Sequence, residues 1–532
     1  MTLLRNILKT MKKKIHLKLF VGILALVVTS VVFITIFIDP WAQKRIAASL
    51  NDLNGEYLVQ IDDVHVSIFN SKVELETITI SSSQKSLNSN NISGQIKSIE
   101  FKGISLWKLL FTHDLDIDEV SLKNCKVSGE IFDSKKTKDL VISTVNIYLG
   151  KLHIDTLDVA LNNGSSAQQY SIKKGLLNIY NLELNKKDTL KAGIFRKFDF
   201  KADELFVVQA DSMYSFKVNG LILSDSSKTL AIDSISIQPN FEDYEFASRH
   251  AFESDRIEAT FRNIHASDVS AAGYLCSGSL ESTYLEIQSM DMQVFRDKRK
   301  AVLHEKKTEF QDLIYNYNGA VHIDSIAVLE GKITYTEHEK LAREAGSIYF
   351  DAIDARFYNI SKLPKFRTKT EFMVLKVKSQ LMGQGEINVI LKAEIFDSLN
   401  TFSVSGTLSE MDGKALNPIL EHNAFLFVTS CNIDRLDFNF EANSKESNGE
   451  VKLLYNRLHL AIKNKQRDDT TGLKAKFISY LANNKLLNSN PIHRKEVRVG
   501  KIYFKRNPER FLFSYCFKSI LSGIKISITK EK

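Results

Sequence analysis

Asp62-Asp63 and Glu242-Asp243 are adjacent carboxylates, the raw material of an acid–base pair. His304-Glu305 and His338-Glu339 each set an imidazole beside an acid, as proton transfer or metal binding would need. None of them has the partners that such chemistry requires. No GxSxG, HExxH, P-loop or GxGxxG stands in a strand-turn-helix setting. The twelve histidines are scattered, and the paired carboxylates read as turn or surface residues. Cys125, Cys276, Cys431 and Cys516 lie far apart with no CxxC or Cys/His spacing, so they do not suggest zinc. An oxidising compartment would permit disulfides, but buried free thiols on strands are the expected state. The residues point away from an enzyme, and no catalytic residue, metal or cofactor is expected.

What does recur is structural. Ile-Asp-x-Φ-x-Φ, with Φ apolar, appears at Ile61–Val66, Ile117–Leu122, Ile154–Val159, Ile232–Ile237, Ile323–Val328 and Ile433–Phe438. A degenerate copy is Ala202–Val207. The last two apolar positions are two apart, so they share one side of a strand. The first lies three back, out of phase, so the Asp is expected to mark a bulge or bend. The six full copies start 37 to 110 residues apart, which excludes a fixed-period solenoid. One strand type used repeatedly implies a long sheet whose apolar face must be covered by something.

Residues 19–38 carry no charge, and about 20 residues at 1.5 Å rise span a bilayer core. Arg5, Lys9, Lys12, Lys13, Lys14 and Lys18 precede them with no acid, which places the N-terminus in the cytoplasm and the bulk outside it. A cleaved signal peptide would have a shorter apolar core and a small-x-small site, where this chain has Asp39-Pro40-Trp41. An uncleaved signal anchor is expected. The formal charge is +8, of which residues 1–18 carry +6 and 493–532 carry +8; subtracting both leaves −6 for 19–492. That is not the footprint of a nucleic-acid binder. Basic ends fit contact with an anionic membrane surface, or an ordinary solvated face.

Alternation of apolar and polar residues begins after a short helix opened by Asp39-Pro40 and ended by Asn54-Gly55. It predicts strands through 57–80, 96–104, 120–127, 142–160, 170–185, 196–222 and 228–238. One helical turn is expected at 105–110, short helices at 241–254 and around 413–422, and a helix at 472–486. Residues 239–316 are mixed, with a charge run at 296–307 read as an exposed loop or helix face. Strands resume at 319–357, 371–397, 425–441 and 448–463. Six prolines and no linker composition argue for one extramembrane body.

A basic stub, one membrane helix, a short helix and strands of the Tyr57–Phe69 type together resemble the AsmA-like proteins of diderm bacteria. Val404–Asp412, Ala415–Leu420, Phe425–Phe440 and Gly449–Tyr455 are similar to that family's C-terminal region. The resemblance covers both ends well and the middle by strand character alone. It implies a mainly β fold: an elongated antiparallel repeating β-groove with a few short helices and one N-terminal transmembrane helix. The implied layout is a cytoplasmic stub 1–18, an anchor 19–38, a periplasmic groove body 39–400 and a C-terminal region 401–532 with an amphipathic tail. It also implies anchoring in the inner membrane, and phospholipids and other envelope proteins as partners in lipid transport or outer-membrane homeostasis. A scaffold for outer-membrane protein assembly is the alternative. Twenty-odd strands at about 4.8 Å give a reach of roughly 100 Å.

An apolar floor for acyl chains is expected from Val64, Val66, Val120, Leu122, Leu157, Val159, Ile235, Ile237, Ile326 and Val328. Arg506, Arg510, Phe511, Phe513 and Phe517 are candidates for membrane contact, with 511–523 as an amphipathic tail. The other reading of the same aromatics is a hydrophobic cap that closes the end of the sheet.

Overall fold

The computed structural model describes residues 57–530 except 69, 83–89, 106, 107, 109–113, 133–145, 185–194, 364–371, 463–483 and 493–495. The stub, the apolar run 19–38 and the helix expected after Pro40 lie outside the described residues. So do most of the turn expected at 105–110 and most of the helix expected at 472–486. Among the described residues, no helix is long and apolar enough to cross a membrane.

The protein is mainly β and divides into two compact units, 1–203 and 204–532. The first holds β1 (Tyr57–Ser67), β2 (Lys72–Ser82), β3 (Asn91–Lys102), β4 (Leu115–Ile131), β5 (Ile147–Asn163) and β6 (Gln169–Leu184). Each pairs with the next, antiparallel except for the parallel β4/β5 pair. Strand β7 (Lys197–Val208) runs across the division.

The second unit begins with β8 (Tyr214–Ser224), β9 (Thr229–Pro239), α1 (Asp243–Ser248), β10 (Asp255–Ser267), α2 (Ala271–Ser277), β11 (Leu280–Asp297) and α3 (Phe310–Tyr315). It continues with β12 (Val321–His338), β13 (Gly346–Ser361), β14 (Met373–Leu381), β15 (Gly385–Ala393), β16 (Phe402–Leu408) and the two-residue β17 (Met411–Asp412). A 3-10 turn (Gly413–Leu416), α4 (Asn417–Asn423), β18 (Leu426–Ala442), β19 (Glu446–Ile462), β20 (Gly500–Lys505) and α5 (Leu512–Ile528) complete it. Neighbours from β8 to β16 pair in order, and β16 then pairs with β18, β18 with β19 and β19 with β20. Only β11/β12 is parallel, and the chain between them, 298–320, crosses over as that geometry demands.

The Asp of the repeated motif marks an irregularity, as its spacing predicts. Pairing of β1 with β2 steps from Ile61↔Ile78 to Asp63↔Glu76, skipping Asp62 and Thr77, and Thr77 takes a φ of 50°. Asp118 faces Gly103, whose φ is 68°. Asp233 faces Gly220, φ 64°, where a Cβ would lie 1.9 Å from the Asp233 Oδ2. Asp324 falls opposite Asn359, φ 60°, between the pairs Ile323↔Ile360 and Ser325↔Tyr358. Left-handed backbone favours Gly and Asn, which explains three of these four partners. The irregular pair, one residue on each strand, re-phases the alternation, so Ile61, Val64 and Val66 share a face although the first is three residues back.

The second unit's sheet is curled around α5. The Phe513 ring meets Phe350 of β13 at 6.3 Å, edge-on, and Tyr515 meets Phe402 of β16 at 6.0 Å and Phe504 of β20 at 6.2 Å. Strands β13 and β20 are six pairings apart, about 29 Å on a flat sheet. A helix about 10–12 Å across can touch both only if the sheet bends round it. The largest buried cluster, with Val404, Phe438, Phe440, Val451, Tyr455, Ile502 and Tyr515, lies in that bend.

Candidate functional site

In the first unit, register aligns the motif residues into apolar rows. One row runs Val64, Leu75, Ile99, Leu122, Ile154 and Leu177 from β1 to β6. Beside it run Val66, Val73, Phe101, Val120, Leu152 and Ile179. Leu157 lies between Cys125 and Gly175, and Val159 between Val127 and Ile172. Val64 and Val120 are buried, whereas Val66, Leu122, Leu157 and Val159 keep part of their surface open. All six predicted residues of this unit therefore belong to one continuous face.

The second unit repeats the arrangement. Ile235 lies between Val218 and Phe261, and Ile237 between Phe216 and Ala259. Ile326 and Val328 open two long rows. The first runs Leu285, Ile326, Phe357, Leu375, Leu391, Val404 and Phe440. On the strand positions just beside it, facing the other way, stand Glu286, Ala327, Arg356 and Lys376. One face is thus apolar and the other mostly polar, with the buried Ala327 among its charged neighbours.

Exposure changes along that row. Leu285, Ile326, Phe357 and Leu375 are half-buried, but Leu391, Val404 and Phe440 are buried, Phe440 to 1%. Residues of α5 pack over the β16–β20 end, whereas Ile326, Phe357 and Leu375 lie at the edge of the same cluster, together with Phe310 and Ile314 of α3. Small residues seat this helix. Ser519 and Ser527 are fully buried, and Gly523 packs so closely that a Cβ there would lie 2.8 Å from Val451. A Cβ on Gly500 of β20 would meet the Gly523 carbonyl at 1.9 Å. Ser447 and Ser519 hydroxyls lie 2.7 Å apart across the contact.

The C-terminal segment forms a helix that caps the sheet, but with other residues than the aromatics expected to close it. Tyr515, Ser519, Gly523 and Ser527 form the buried stripe of a cap, while Phe511, Phe513, Phe517 and Leu521 stand outward and exposed. Arg506 does not take part in that outer face. Its side chain is 2% exposed, and its Nη2 donates to Glu309 Oε1 at 2.9 Å, with Tyr515's ring 4.7 Å from its guanidinium carbon. The expectation that Arg506 offers its charge to a membrane is corrected on that ground. Arg510 donates to Glu253 Oε2 at 3.2 Å and is partly buried. The charge run after β11 proves to be the other half of this contact. Lys307 N–H donates to Pro508 C=O at 2.8 Å, and His304 Nδ1 lies 3.0 Å from Glu509.

The residues with latent chemistry are spoken for. His338 contacts the Tyr244 hydroxyl at 2.8 Å and the Ala342 carbonyl at 3.0 Å. Burial raises the Asp243 carboxyl, with Arg256 Nη1 3.3 Å away opposing the rise. Burial pushes the Cys431 thiol up to about 11 and the Cys516 thiol up to about 12, so neither is a ready nucleophile. Among the described residues, no group of His, Cys, Asp or Glu is placed to hold a metal ion.

Sequence reading missed Met290, Met292, Phe350 and Phe357, which join the apolar face of the second unit. Met292 pairs with Ala259 and Ile333, and Ile333 pairs with Phe350. Their signal was present but split, because the register irregularities between Val328, Gly331 and Ile333 shift the alternation midway. No protein-family model matches this sequence, and no curated protein matches it significantly.

Proposed function

We propose that this chain is a membrane-anchored envelope protein that holds phospholipid acyl chains on the apolar face of its curled sheet, in the manner of the AsmA-like proteins it resembles. In this reading 19–38 anchors it in the inner membrane, the sheet-bearing body lies in the periplasm, and the protein contributes to lipid transport or outer-membrane homeostasis. The observation that carries the reading is the row from Leu285 to Phe440. The same line of apolar side chains is buried from Leu391 to Phe440 and half-buried from Leu285 to Leu375. An apolar strip of that length left open to water is costly, and acyl chains are the cover that matches a strip without discrete polar groups. At about 0.8 kcal/mol per buried CH₂, eight carbons of a chain are worth roughly 6 kcal/mol. The absence of specific contacts suits a ligand that must slide.

The test is a difference measurement on the full-length chain. Lipid extracted from purified protein is quantified by mass spectrometry for wild type and for Phe357→Asp/Leu375→Asp. The account expects phospholipid beyond that retained by an anchor-only control, lost in the variant. Equal lipid in both would contradict it.

A further inference from the structure

The outward stripe of α5 is apolar and exposed. Phe513, Phe517 and Leu521 recur every four residues and are 65%, 48% and 43% exposed, with Phe511 at 51% just before them. The Phe513 and Phe517 rings stack at 6.4 Å, 6° from parallel, and Phe513 also meets Phe350 edge-on. No acidic residue occurs in α5, whose only charges are Lys518 and Lys525, both exposed. Lys307 adds a third cation, its ammonium 5.5 Å from the Phe511 ring centroid. Although Lys518 is exposed as a whole residue, desolvation of its ammonium holds it below its usual range, and Arg510 and Lys298 lower it further against the pull of Glu337. A nearby anion would relieve that repulsion.

We infer that α5 docks its Phe513–Phe517–Leu521 stripe onto an anionic lipid bilayer, with Lys518 and Lys525 against the headgroups. Aromatic side chains favour the interface between headgroup and acyl region, and lysines at its rim gain from negative surface potential. An uncharged bilayer or an acidic protein surface would satisfy only half of this pattern. Phe513 touches Phe350, which belongs to the apolar face, so a docked helix sets that face beside the bilayer from which chains would enter. The role of the contact rests on the acyl-chain reading above, but the contact itself is tested independently.

The full-length chain is held by its N-terminus in phosphatidylcholine nanodiscs and offered phosphatidylglycerol or phosphatidylcholine vesicles in a flotation assay. Wild type should float with phosphatidylglycerol vesicles and not with phosphatidylcholine ones. Lys518→Glu/Lys525→Glu should weaken that binding by about 30-fold or more, at roughly 1 kcal/mol for each lysine lost. Phe513→Ser/Phe517→Ser should weaken it too; Phe517→Ser alone, which leaves the Phe513–Phe350 contact in place, should do so with an unchanged melting temperature. Binding at wild-type strength by both variants, or equal binding to the two vesicle types, overturns the inference. A concentration-dependent dimer that Phe513→Ser/Phe517→Ser dissolves also overturns it, because the stripe would then pair two copies. Lipid capture by a photo-crosslinker at Phe357 is measured in the same preparations. Lost docking with capture intact, and loss of both, are thereby told apart.

Discussion

Glu309 and Arg506, 197 residues apart in sequence, form a buried ion pair with Nη2 2.9 Å and Nε 3.1 Å from the same carboxylate oxygen. It fastens the crossover after β11 to the segment that leads into α5. Removing one partner leaves a buried charge without its counterion, which costs about 3–5 kcal/mol. Arg506→Met should lower stability by that amount, and Glu309→Met/Arg506→Met by much less. Chemical denaturation checks both; a single variant within about 1 kcal/mol of wild type removes the pair from the account.

Seating of α5 depends on two glycines that let its backbone touch β20. Gly500→Val has no room, since even a Cβ would overlap the Gly523 carbonyl. The predicted result is release of the helix. Cys516 reports it: partly buried on α5, with its thiol raised to about 12, it should resist iodoacetamide at pH 8 in the wild type. Cys276, exposed on α2, should be labelled in both proteins. Unchanged Cys516 labelling in Gly500→Val would show that the helix stays in place.

Stability should fall in acid. The Lys72 hydrogen bond holds the Glu100 carboxyl below its usual range, and the Arg299 guanidinium does the same for Asp297. Folded values below the unfolded ones mean that the stabilisation is complete above the unfolded pKa values, near 4. It is lost as pH falls through the folded values. Lys72 is raised by the same partner, so its share is lost only as pH climbs past its raised folded value. Lys72 is 35% exposed, and screening reduces the pair to about 0.5 kcal/mol. Glu100→Gln should flatten the melting temperature between pH 5 and 3 by a small, reproducible amount; an unchanged slope would deny the pair that role.

The expected topology rests on six basic residues, with no acid among them, before 19–38. Alkaline phosphatase fused to the C-terminus should be active and a cytoplasmic reporter fused there dark. The opposite pattern would remove the periplasmic setting on which the lipid reading depends.

Much of this architecture is readable in the sequence because it is local. Period-two alternation marks the strands, and the misplaced Ile before each Asp foretells the irregularity that Asp233–Gly220 and Asp324–Asn359 display. The same irregularities hide β10 and β11. Asn263, φ 51°, interrupts β10 between Arg262 and Ile264, so two apolar phases look like none. Long-range contacts are invisible to any window. Arg506 reads as surface charge until Glu309 is brought to it, and which stripe of α5 is buried depends on Gly500 and Val451 of other strands. The curl itself leaves no local signal, because it arises from a helix touching β13, β16 and β20 together.

The most direct test of an acyl-chain-binding face compares neighbours that point to opposite sides of one strand. Benzoylphenylalanine is placed at Phe357 or Leu375, on the apolar face, and at Arg356 or Lys376, one residue away on the polar face. The full-length chain is irradiated in its native membrane, and adducts are identified by mass spectrometry. The account predicts phospholipid adducts at Phe357 and Leu375 and none at Arg356 and Lys376. Lipid captured equally at all four, or protein alone at Phe357 and Leu375, would contradict it.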